Sequence, residues 1–449
     1  MQRPDASGPG DLTADGRPAA LLPLRQLFQI SIYWFGINAI WGAVDGVVLQ
    51  ERVPHLVDPG TGGTALALIK VVAVLMAIVV QPTVGTISDY TMSRWGRRKP
   101  YIAVGASLDV LFLLGLASAQ TFVAVMALVV LLQFSSNFAQ GPFQGYIPDL
   151  VGAKQVAVAS ALVGIMSVLG NVGGTIIGSL GFLTDPPDFR IPLIVVGLIE
   201  FLTMVGTVVW VREGRKAKDR AGRSWPSVAA EAWGTDILRE HSYVWLVASR
   251  LFFLTGVSMI TALSLLYLER AMGLNGSDKG SWVTISAILV ALAIVITAWP
   301  AAKLSDRIGR KAVIYAACGL GATGMAILTV APSLPVAEIG IILIGVGAGA
   351  FLSVDWALMT DIIPKASSGR YMGMSNVATA SAGALALIIG GPVIDIVGGT
   401  AQSGSGPRSV MAIGVGLFLL AAVLLRQVDE RRREDAEGLV ALPVAEAAV

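Results

Sequence analysis

Charged residues are scarce in this chain of 449 residues. Asp, Glu, Lys and Arg together make up 14% of it, whereas hydrophobic residues make up 55%. A soluble protein of this length needs far more charge to cover its surface, so the composition excludes a soluble domain. Cysteine is scarcer still: Cys318 is the only one, which excludes a disulfide within the chain.

Metal-binding and catalytic patterns are also missing from the sequence. The two histidines, His55 and His241, stand far apart and have no metal-ligand neighbours. There is no HExxH pattern, no GxSxG pattern and no helix face with paired histidines. We therefore expect no catalytic residue, no metal site, no cofactor and no nucleic-acid partner, and the chain is predicted not to be an enzyme.

Long apolar runs are what the chain has in abundance. A run of about 20 apolar residues is long enough to cross the hydrocarbon core of a bilayer as a helix. Twelve such runs can be placed, at roughly 27–50, 64–87, 100–119, 121–147, 157–183, 191–211, 243–268, 281–303, 312–332, 335–362, 371–397 and 408–426. The sequence therefore predicts an all-α membrane protein with the lipid bilayer as its surroundings.

Lys and Arg residues lie mainly in the segments on one side of this arrangement. Cytoplasmic loops carry an excess of these cations, so the pattern predicts that both termini are cytoplasmic and that the protein is an integral protein of the plasma membrane. The predicted domains are a cytoplasmic N-terminal tail 1–26, an N-terminal six-helix bundle 27–211, a cytoplasmic linker 212–242, a C-terminal six-helix bundle 243–426 and a cytoplasmic C-terminal tail 427–449.

A short polar motif occurs once in each predicted half, at Val84–Ile102 and again at Ala302–Ile314. Each copy follows one apolar helix and precedes another, and each has an Asp, then a Gly, then two or three cations. Duplication of this kind indicates two related halves, as in transporters built from internal repeats. Glycine-rich stretches that begin at Gly164 and Gly373 also repeat, and we expect them to lie between the halves, since glycines let helix backbones approach.

The charged residues of the two repeated loops are candidates for a conformational latch. Asp accepts charge-assisted hydrogen bonds from Arg, and contacts that form in only one state bias the equilibrium between states. The alternative is that the cations only set the membrane topology. The candidate latch residues are Asp89, Arg94, Arg97, Arg98, Asp306, Arg307 and Arg310.

The first of these loops resembles the signature of the major facilitator superfamily. In detail it resembles the sucrose–proton symporters of the glycoside–pentoside–hexuronide:cation branch, which carry an SD-x3-SR-F/W-GRR-x-P stretch. The matching residues are Ser88, Asp89, Ser93, Arg94, Trp95, Gly96, Arg97, Arg98 and Pro100. Segments 137–150 in helix 4 and 169–172 in helix 5 resemble the same branch. The resemblance implies the major facilitator fold and uptake of a sugar or glycoside together with a proton or a sodium ion.

The chain departs from that branch at two positions of helix 4. The sucrose symporters carry an acidic residue early in the helix and an Arg just after a QGP segment, and the family implicates these in proton coupling and sugar binding. Here the aligned residues are Gln133 and Gln144. Since an amide cannot exchange a proton near neutral pH, any coupling must use other residues.

Polar side chains on helices 1 and 4 are candidates for solute contact. Four amides of helix 4 recur at a spacing that puts them on one face, and helix 1 repeats the pattern with two tryptophans, an asparagine and Asp45. A sugar ring packs its apolar face on an indole, while amides match its hydroxyls. The alternative is hydrogen bonding between helices. The candidates are Trp34, Asn38, Trp41, Gln133, Asn137, Gln140, Gln144 and Trp356.

Six ionisable residues fall inside the predicted spans, where an unpaired charge is costly. Asp45 and Lys70 lie at similar depths, as do Arg250 and Asp355, so we expect two ion pairs. Helices 1, 4, 7 and 10 line the central cavity in the superfamily, which makes Asp45 and Asp355 candidates for coupling, with static ion pairs as the alternative. The other two, Asp109 and Glu200, are expected to face packing partners or a lateral polar crevice.

Three functions fit these observations. The first is cation-coupled uptake of a sugar or glycoside by alternating access. The second is export of drugs or metabolites by proton antiport; exporters of the superfamily usually carry a GP-x2-GG motif in helix 5, and the stretch from Gly170 to Gly174 lacks its proline. The third is a membrane sensor that binds a solute without transporting it.

Overall fold

The computed structural model describes residues 21–91, 93–152, 155–213, 240–362, 368–399 and 403–429, together with Gly222, Ser224 and Trp225. Twelve helices in this part of the chain are long and apolar enough to cross a membrane. They are α1 Leu24–Leu56, α2 Gly62–Asp89, α3 Lys99–Ser118, α4 Phe122–Gln144, α5 Val156–Ser179, α6 Arg190–Trp210, α7 His241–Arg270, α8 Gly276–Ile308, α9 Arg310–Val330, α10 Leu334–Ile362, α11 Ser368–Gly398 and α12 Ser405–Leu425. The predicted all-α, multi-pass membrane protein is confirmed.

The first helix is not uniform along its length. After the α-helical segment Tyr33–Ala43 comes a π-helical turn, Val44–Val48, and then a short α-helical segment, Leu49–Arg52. A π turn leaves backbone carbonyls poorly paired, which is costly inside a bilayer. The buried Gln50 side chain compensates, because its amide donates to the carbonyl oxygens of Asp45 and Gly46 at 3.0 and 3.1 Å.

The helices fall into two compact units. Unit 1 comprises Met1–Trp233 with Leu274–Thr284, and unit 2 comprises Gly234–Gly273 with Ile285–Val449, so the first turns of α8 belong to unit 1. In unit 1, α1 packs on α5 and α6, and α3 packs on α4 and α6. In unit 2, α7 packs on α11 and α12, and α9 packs on α10 and α12. Each of these helix pairs in unit 1 has an equivalent in unit 2 whose helix numbers are higher by six; for example, α1–α5 corresponds to α7–α11. The fold therefore repeats, as the duplicated loops predict.

Glycines bring α1 and α5 into backbone contact within unit 1. A β-carbon at Gly170 would collide with the carbonyl oxygen of Phe35, and one at Gly174 with the carbonyl oxygen of Ala39. These two glycines therefore allow the close approach of α1, which belongs to the same unit. The sequence pattern predicts instead that they contact the other half. The surroundings of Gly373, at the start of the second glycine-rich stretch, lie outside the part whose side chains are described.

This packing predicts that Gly174→Ala destabilises the protein and that Gly164→Ala, on the same helix, does not. Overpacking at Gly174 is expected to cost about 1–3 kcal/mol. Nothing lies within 4 Å of a β-carbon at Gly164, so alanine there is neutral or slightly favourable. Thermal unfolding of both purified variants in detergent checks this, and equal unfolding temperatures would contradict the described α1–α5 contact.

Candidate functional site

An ion pair and a tryptophan lie together on α1 and α2 of unit 1. The Lys70 ammonium donates to Oδ2 of Asp45, which sits on the π-helical turn of α1, and both side chains are partly buried. The same ammonium lies 5.3 Å from the centroid of the Trp41 ring, within the range of a cation–π interaction. Lys70 therefore balances the charge of Asp45 and also holds the Trp41 indole through the cation–π interaction. The other oxygen of Asp45, Oδ1, is buried and has no hydrogen-bond partner among the described residues.

Unit 2 contains the same three kinds of group. Arg250 of α7 and Asp355 of α10 form an ion pair whose side chains are only 2% and 0% exposed. The guanidinium also donates from Nε to Thr379 at 3.1 Å and lies 5.0 Å from the centroid of the Trp356 ring. Each unit thus holds a cation, a carboxylate and an indole in contact, and the pair in unit 2 is the more deeply buried.

The amides that the sequence places on α4 do not all have the same role. Asn137 is buried and donates to the carbonyl oxygen of Gln133 at 2.7 Å, one turn earlier on its own helix. Asn38 does the same on α1, with the carbonyl oxygen of Trp34 at 2.8 Å. By contrast, the half-buried side-chain amides of Gln133, Gln140 and Gln144 form no hydrogen bond with any residue that the structure describes. These three remain available to a solute.

The glutamine row lies on a face of its own. The exposed apolar stripe of α4 includes Val123, Leu131 and Phe134, and at about 100° per residue its centre lies roughly a third of a turn from the centre of the glutamine row. Next to Gln144, the Phe143 ring contacts the Trp34 ring of α1 at a centroid distance of 5.6 Å. α1 and α4 therefore meet within unit 1 at Trp34 and Phe143, and Phe143 points about 100° round α4 from Gln144.

Arg98 is the centre of the first candidate latch. Its buried guanidinium donates to Asp149 and Asp89 at 2.7 Å each and to the Pro142 carbonyl oxygen at 2.9 Å. It thereby joins the end of α2, the end of α4 and the short helix Tyr146–Leu150 that follows. A β-carbon at Gly145 would collide with this guanidinium, so the chain needs glycine there. The Arg97 guanidinium also donates to Asp149.

Glu213 completes this network, although no sequence pattern singles it out. Its carboxylate accepts hydrogen bonds from the backbone N–H groups of Arg97, Arg98 and Lys99 at 2.6, 2.9 and 2.9 Å, where α3 begins. These donors would otherwise be unpaired, and the helix dipole favours an anion there. Burial is the main reason that the pKa of Tyr146 is raised above its usual value, and the negative charge of Glu213 raises it further. The Tyr146 hydroxyl therefore stays protonated and donates a hydrogen bond to Glu213 at 2.5 Å.

The second loop carries a much smaller network. Arg310 contacts Asp306 at 2.7 Å, with the aspartate largely exposed, and donates to Ser305 at 2.6 Å. Arg307 and its counterpart in the first loop, Arg94, are exposed and form no ion pair with a described residue. The network of the first loop lies wholly inside unit 1, so the two copies of the motif share a sequence but not a set of contacts.

The sequence does not predict the partners in two further buried clusters of charged residues. Lys279, in the part of α8 that belongs to unit 1, donates to Glu51 of α1 at 2.5 Å and lies 5.4 Å from the Phe182 ring. In the second cluster, Asp109 of α3 and Glu200 of α6 are completely buried. Helical periodicity does not reveal either pair, because the partners come from helices that are distant in the sequence.

The ion pair of unit 2 predicts a non-additive effect of mutation. Asp355→Asn alone leaves Arg250 buried without its counter-ion and is expected to cost about 3–5 kcal/mol of stability. Adding Arg250→Met removes that charge and is expected to restore most of the loss. Thermal unfolding of the single and double variants measures this, with Asp45→Asn in the more exposed pair as the matched control, which should lose less. Strictly additive effects would contradict a buried pair.

Comparison with curated proteins finds partial relatives among transporters. The human membrane-associated transporter protein is 25% identical over 177 residues, which cover 35% of this chain and 32% of that protein. The sucrose transport protein SUC3 of Arabidopsis thaliana is 29% identical over 155 residues, which cover 30% of this chain and 26% of that protein. The chain thus spans about a third, or less, of the length of these curated relatives.

Comparison with solved structures covers nearly the whole chain. A crystal structure of the nucleoside transporter NupG aligns with a TM-score of 0.68 and 15% identity over 90% of this chain and 100% of that one. The D-xylose-proton symporter aligns with a TM-score of 0.65 and 15% identity over 91% and 97%. Identity this low shows the fold alone. The sequence profile described as Major Facilitator Superfamily matches residues 27–387. The chain therefore belongs to the Major Facilitator Superfamily and is a multi-pass membrane protein of that superfamily.

Proposed function

We propose that the protein takes up a sugar or glycoside across the plasma membrane, together with a proton or a sodium ion, by alternating access. The observation that carries this proposal is the row of three half-buried glutamine amides on α4, Gln133, Gln140 and Gln144, which have no hydrogen-bond partner among the described residues. The same helix contacts the Trp34 ring of α1 through Phe143. Polar groups inside a bilayer need partners, so a free row of them calls for a polar solute or water.

The chemistry of the row suits a neutral, hydroxyl-rich solute. Each amide has both donors and an acceptor, as each sugar hydroxyl does, so the two can satisfy one another fully. An indole beside the row offers a flat apolar surface for the ring face of a sugar. The nearby charges are already neutralised, Asp45 by Lys70 and, in unit 2, Asp355 by Arg250, which makes a strongly charged solute a poorer match. The partial match to sucrose transport proteins supports the same class of solute.

Coupling to a cation has two kinds of support. The D-xylose-proton symporter shares the fold, and each unit of this chain has a carboxylate inside a span. Because Gln133 and Gln144 cannot carry a proton, we assign coupling to carboxylates outside the glutamine row. We further propose that both termini are cytoplasmic and that the Asp89–Arg98 network acts as a latch on the cytoplasmic side, as the distribution of cations indicates.

Transport of radiolabelled sucrose into reconstituted vesicles tests this function. With an imposed inward proton or sodium gradient, we expect the wild-type protein to accumulate sucrose above the external concentration. Gln144→Ala is expected to lower uptake about tenfold, the effect of losing roughly 1.4 kcal/mol of binding, because a sugar hydroxyl loses its partner. Gln120→Ala, a glutamine outside the row and outside the spans, is the matched control and should transport normally.

Three outcomes separate the candidate functions. Accumulation that needs an inward cation gradient supports uptake, whereas extrusion of a preloaded solute by an inward proton gradient supports the exporter. Binding without flux, seen as a thermal shift with mono- or disaccharides in protein that moves none of them, supports the sensor. If Gln144→Ala and Gln120→Ala behave alike, the glutamine row is not the solute site.

A further inference from the structure

Two carboxyl groups meet at the middle of the membrane-spanning part of unit 1. Asp109 lies halfway along α3, and Glu200 lies halfway along α6. With a rise of about 1.5 Å per residue, each is roughly 15 Å from the start of its helix, at the centre of a bilayer core about 30 Å thick. Both residues are 0% exposed. This is the position at which an ionised carboxylate is most costly.

The contacts of the pair are donated by two hydroxyl groups. Ser135 of α4 donates to Oδ1 of Asp109, and the hydroxyl of Tyr33 in α1 donates to Oε1 of Glu200 at 3.1 Å. The two helices pack closely at this depth, because a β-carbon at Gly197, one turn before Glu200, would lie 4.0 Å from the Cα of Val110, the neighbour of Asp109. The remaining oxygens, Oδ2 of Asp109 and Oε2 of Glu200, are buried and have no donor among the described residues.

A proton is the ligand that satisfies these oxygens. Two carboxylates cannot hydrogen-bond to each other unless one of them carries a hydrogen, because the ionised group only accepts. Two like charges on neighbouring helices in a low-dielectric setting repel strongly, so ionisation of both carboxyl groups at once is unfavourable. The described residues include no group of three or more His, Cys, Asp or Glu side chains that could hold a metal ion here. The geometry therefore fits one shared proton better than a sodium ion.

The pair differs from the other mid-span carboxylates in having no cation. Asp45 is paired with Lys70 and Asp355 with Arg250. In the described part of the chain, no Lys or Arg forms an ion pair with Asp109 or Glu200. The helices packed against the pair are α1, α4 and α5; they bring the titratable Tyr33 and the neutral Ser135, and α5 has no ionisable residue. Uptake or loss of a proton therefore changes the net charge of the site without compensation.

The pair is also linked to the proposed solute face. A β-carbon at Gly36 of α1 would lie 2.8 Å from Cα of Glu200, so α1 packs directly on α6 at this point. Tyr33 of α1 donates to Glu200, and the Tyr33 and Trp34 rings both contact Phe143 of α4, the helix that carries the glutamine row. A solute that moves α1 changes the surroundings of Glu200.

We propose that the Asp109–Glu200 carboxyl pair is the proton-binding site that couples solute movement to the proton gradient. The proposal rests on the proposed cation-coupled uptake and selects the proton as the coupling ion. In the step itself, a proton from hydronium on one side of the membrane adds to the ionised oxygen of the singly protonated pair; the new O–H bond makes the pair neutral, and water is left behind. The same O–H bond breaks when the proton leaves to water on the other side, so no other reactant is needed.

Infrared spectroscopy of the purified protein tests the site without any solute. A protonated carboxylic acid has a carbonyl stretch that is distinct from the bands of a carboxylate. We expect the wild-type protein to show this band at neutral pH, well above the usual pKa of about 4 for an exposed Asp or Glu. The double variant Asp109→Asn/Glu200→Gln, which keeps the side-chain volumes and removes both carboxyl groups, should lose it. Asp58→Asn, an exposed acid outside the spans, should not. The proposal would be overturned if the wild-type protein shows no protonated carboxylic acid at neutral pH. It would also be overturned if the band remains when both residues of the pair are replaced.

Transport measurements test the coupling. In vesicles with an imposed proton gradient, Asp109→Asn and Glu200→Gln are expected to lose accumulation of radiolabelled sucrose and reach only equal concentrations on both sides. Exchange of sucrose across the membrane without any gradient should persist, because the solute face is intact; this exchange also shows that the variants fold. Variants that accumulate sucrose like the wild type would overturn the proposal. If the wild-type protein moves no sugar at all, the proposed function fails, and the infrared result decides the proton site by itself.

Discussion

The bilayer core allows no polar group to remain without a partner, and this constraint organises the whole structure. It explains why the backbone is helical through all twelve spans and why Gln50 donates to the carbonyls of the π-helical turn. It also explains why Asp45 and Asp355 each sit against a cation. Among the polar atoms that the described protein does not satisfy are those of the glutamine row of α4 and of the Asp109–Glu200 pair, and no described Lys or Arg forms an ion pair with that carboxyl pair. A solute and a proton are the partners that we propose for them.

The two halves share one plan but have diverged where function resides. Both repeat the same helix neighbours, and both hold a cation, a carboxylate and an indole in contact. The differences lie in unit 1, where Arg98 and Glu213 build an extensive network and where the carboxyl pair lies. In unit 2 the corresponding loop has the Asp306–Arg310 pair, the Ser305 contact and hydrogen bonds from Lys311 to the carbonyl oxygens of Arg426 and Val428. Duplication thus supplies the scaffold, and later divergence supplies specific sites.

Much of the fold follows from the sequence, because hydrocarbon-length apolar runs and duplicated loops are local signals. The spans and the repeat of Asp89 and Asp306 could be predicted in that way. The pairing of Asp109 with Glu200 could not, since it depends on how α3 and α6 pack, and a single acid in an apolar run reveals no partner. The role of Glu213 could not be predicted for the same reason. A carboxylate just after α6 can accept hydrogen bonds from the start of α3 only because the fold places the two segments side by side. The π-helical turn at Asp45 has no clear signature either.

The most direct test asks whether the glutamine face of α4 borders water. With Cys318 replaced by serine, Gln144→Cys and Leu131→Cys place one thiol on the glutamine face and one on the exposed apolar stripe. A membrane-impermeant thiol reagent, added to vesicles from the aqueous side, is expected to modify the cysteine at position 144 and to leave the cysteine at position 131 unmodified. A saturating concentration of sucrose is expected to slow the reaction at position 144. If position 144 is inert, or if both positions react alike and sucrose protects neither, α4 does not line a solute chamber and this account is wrong.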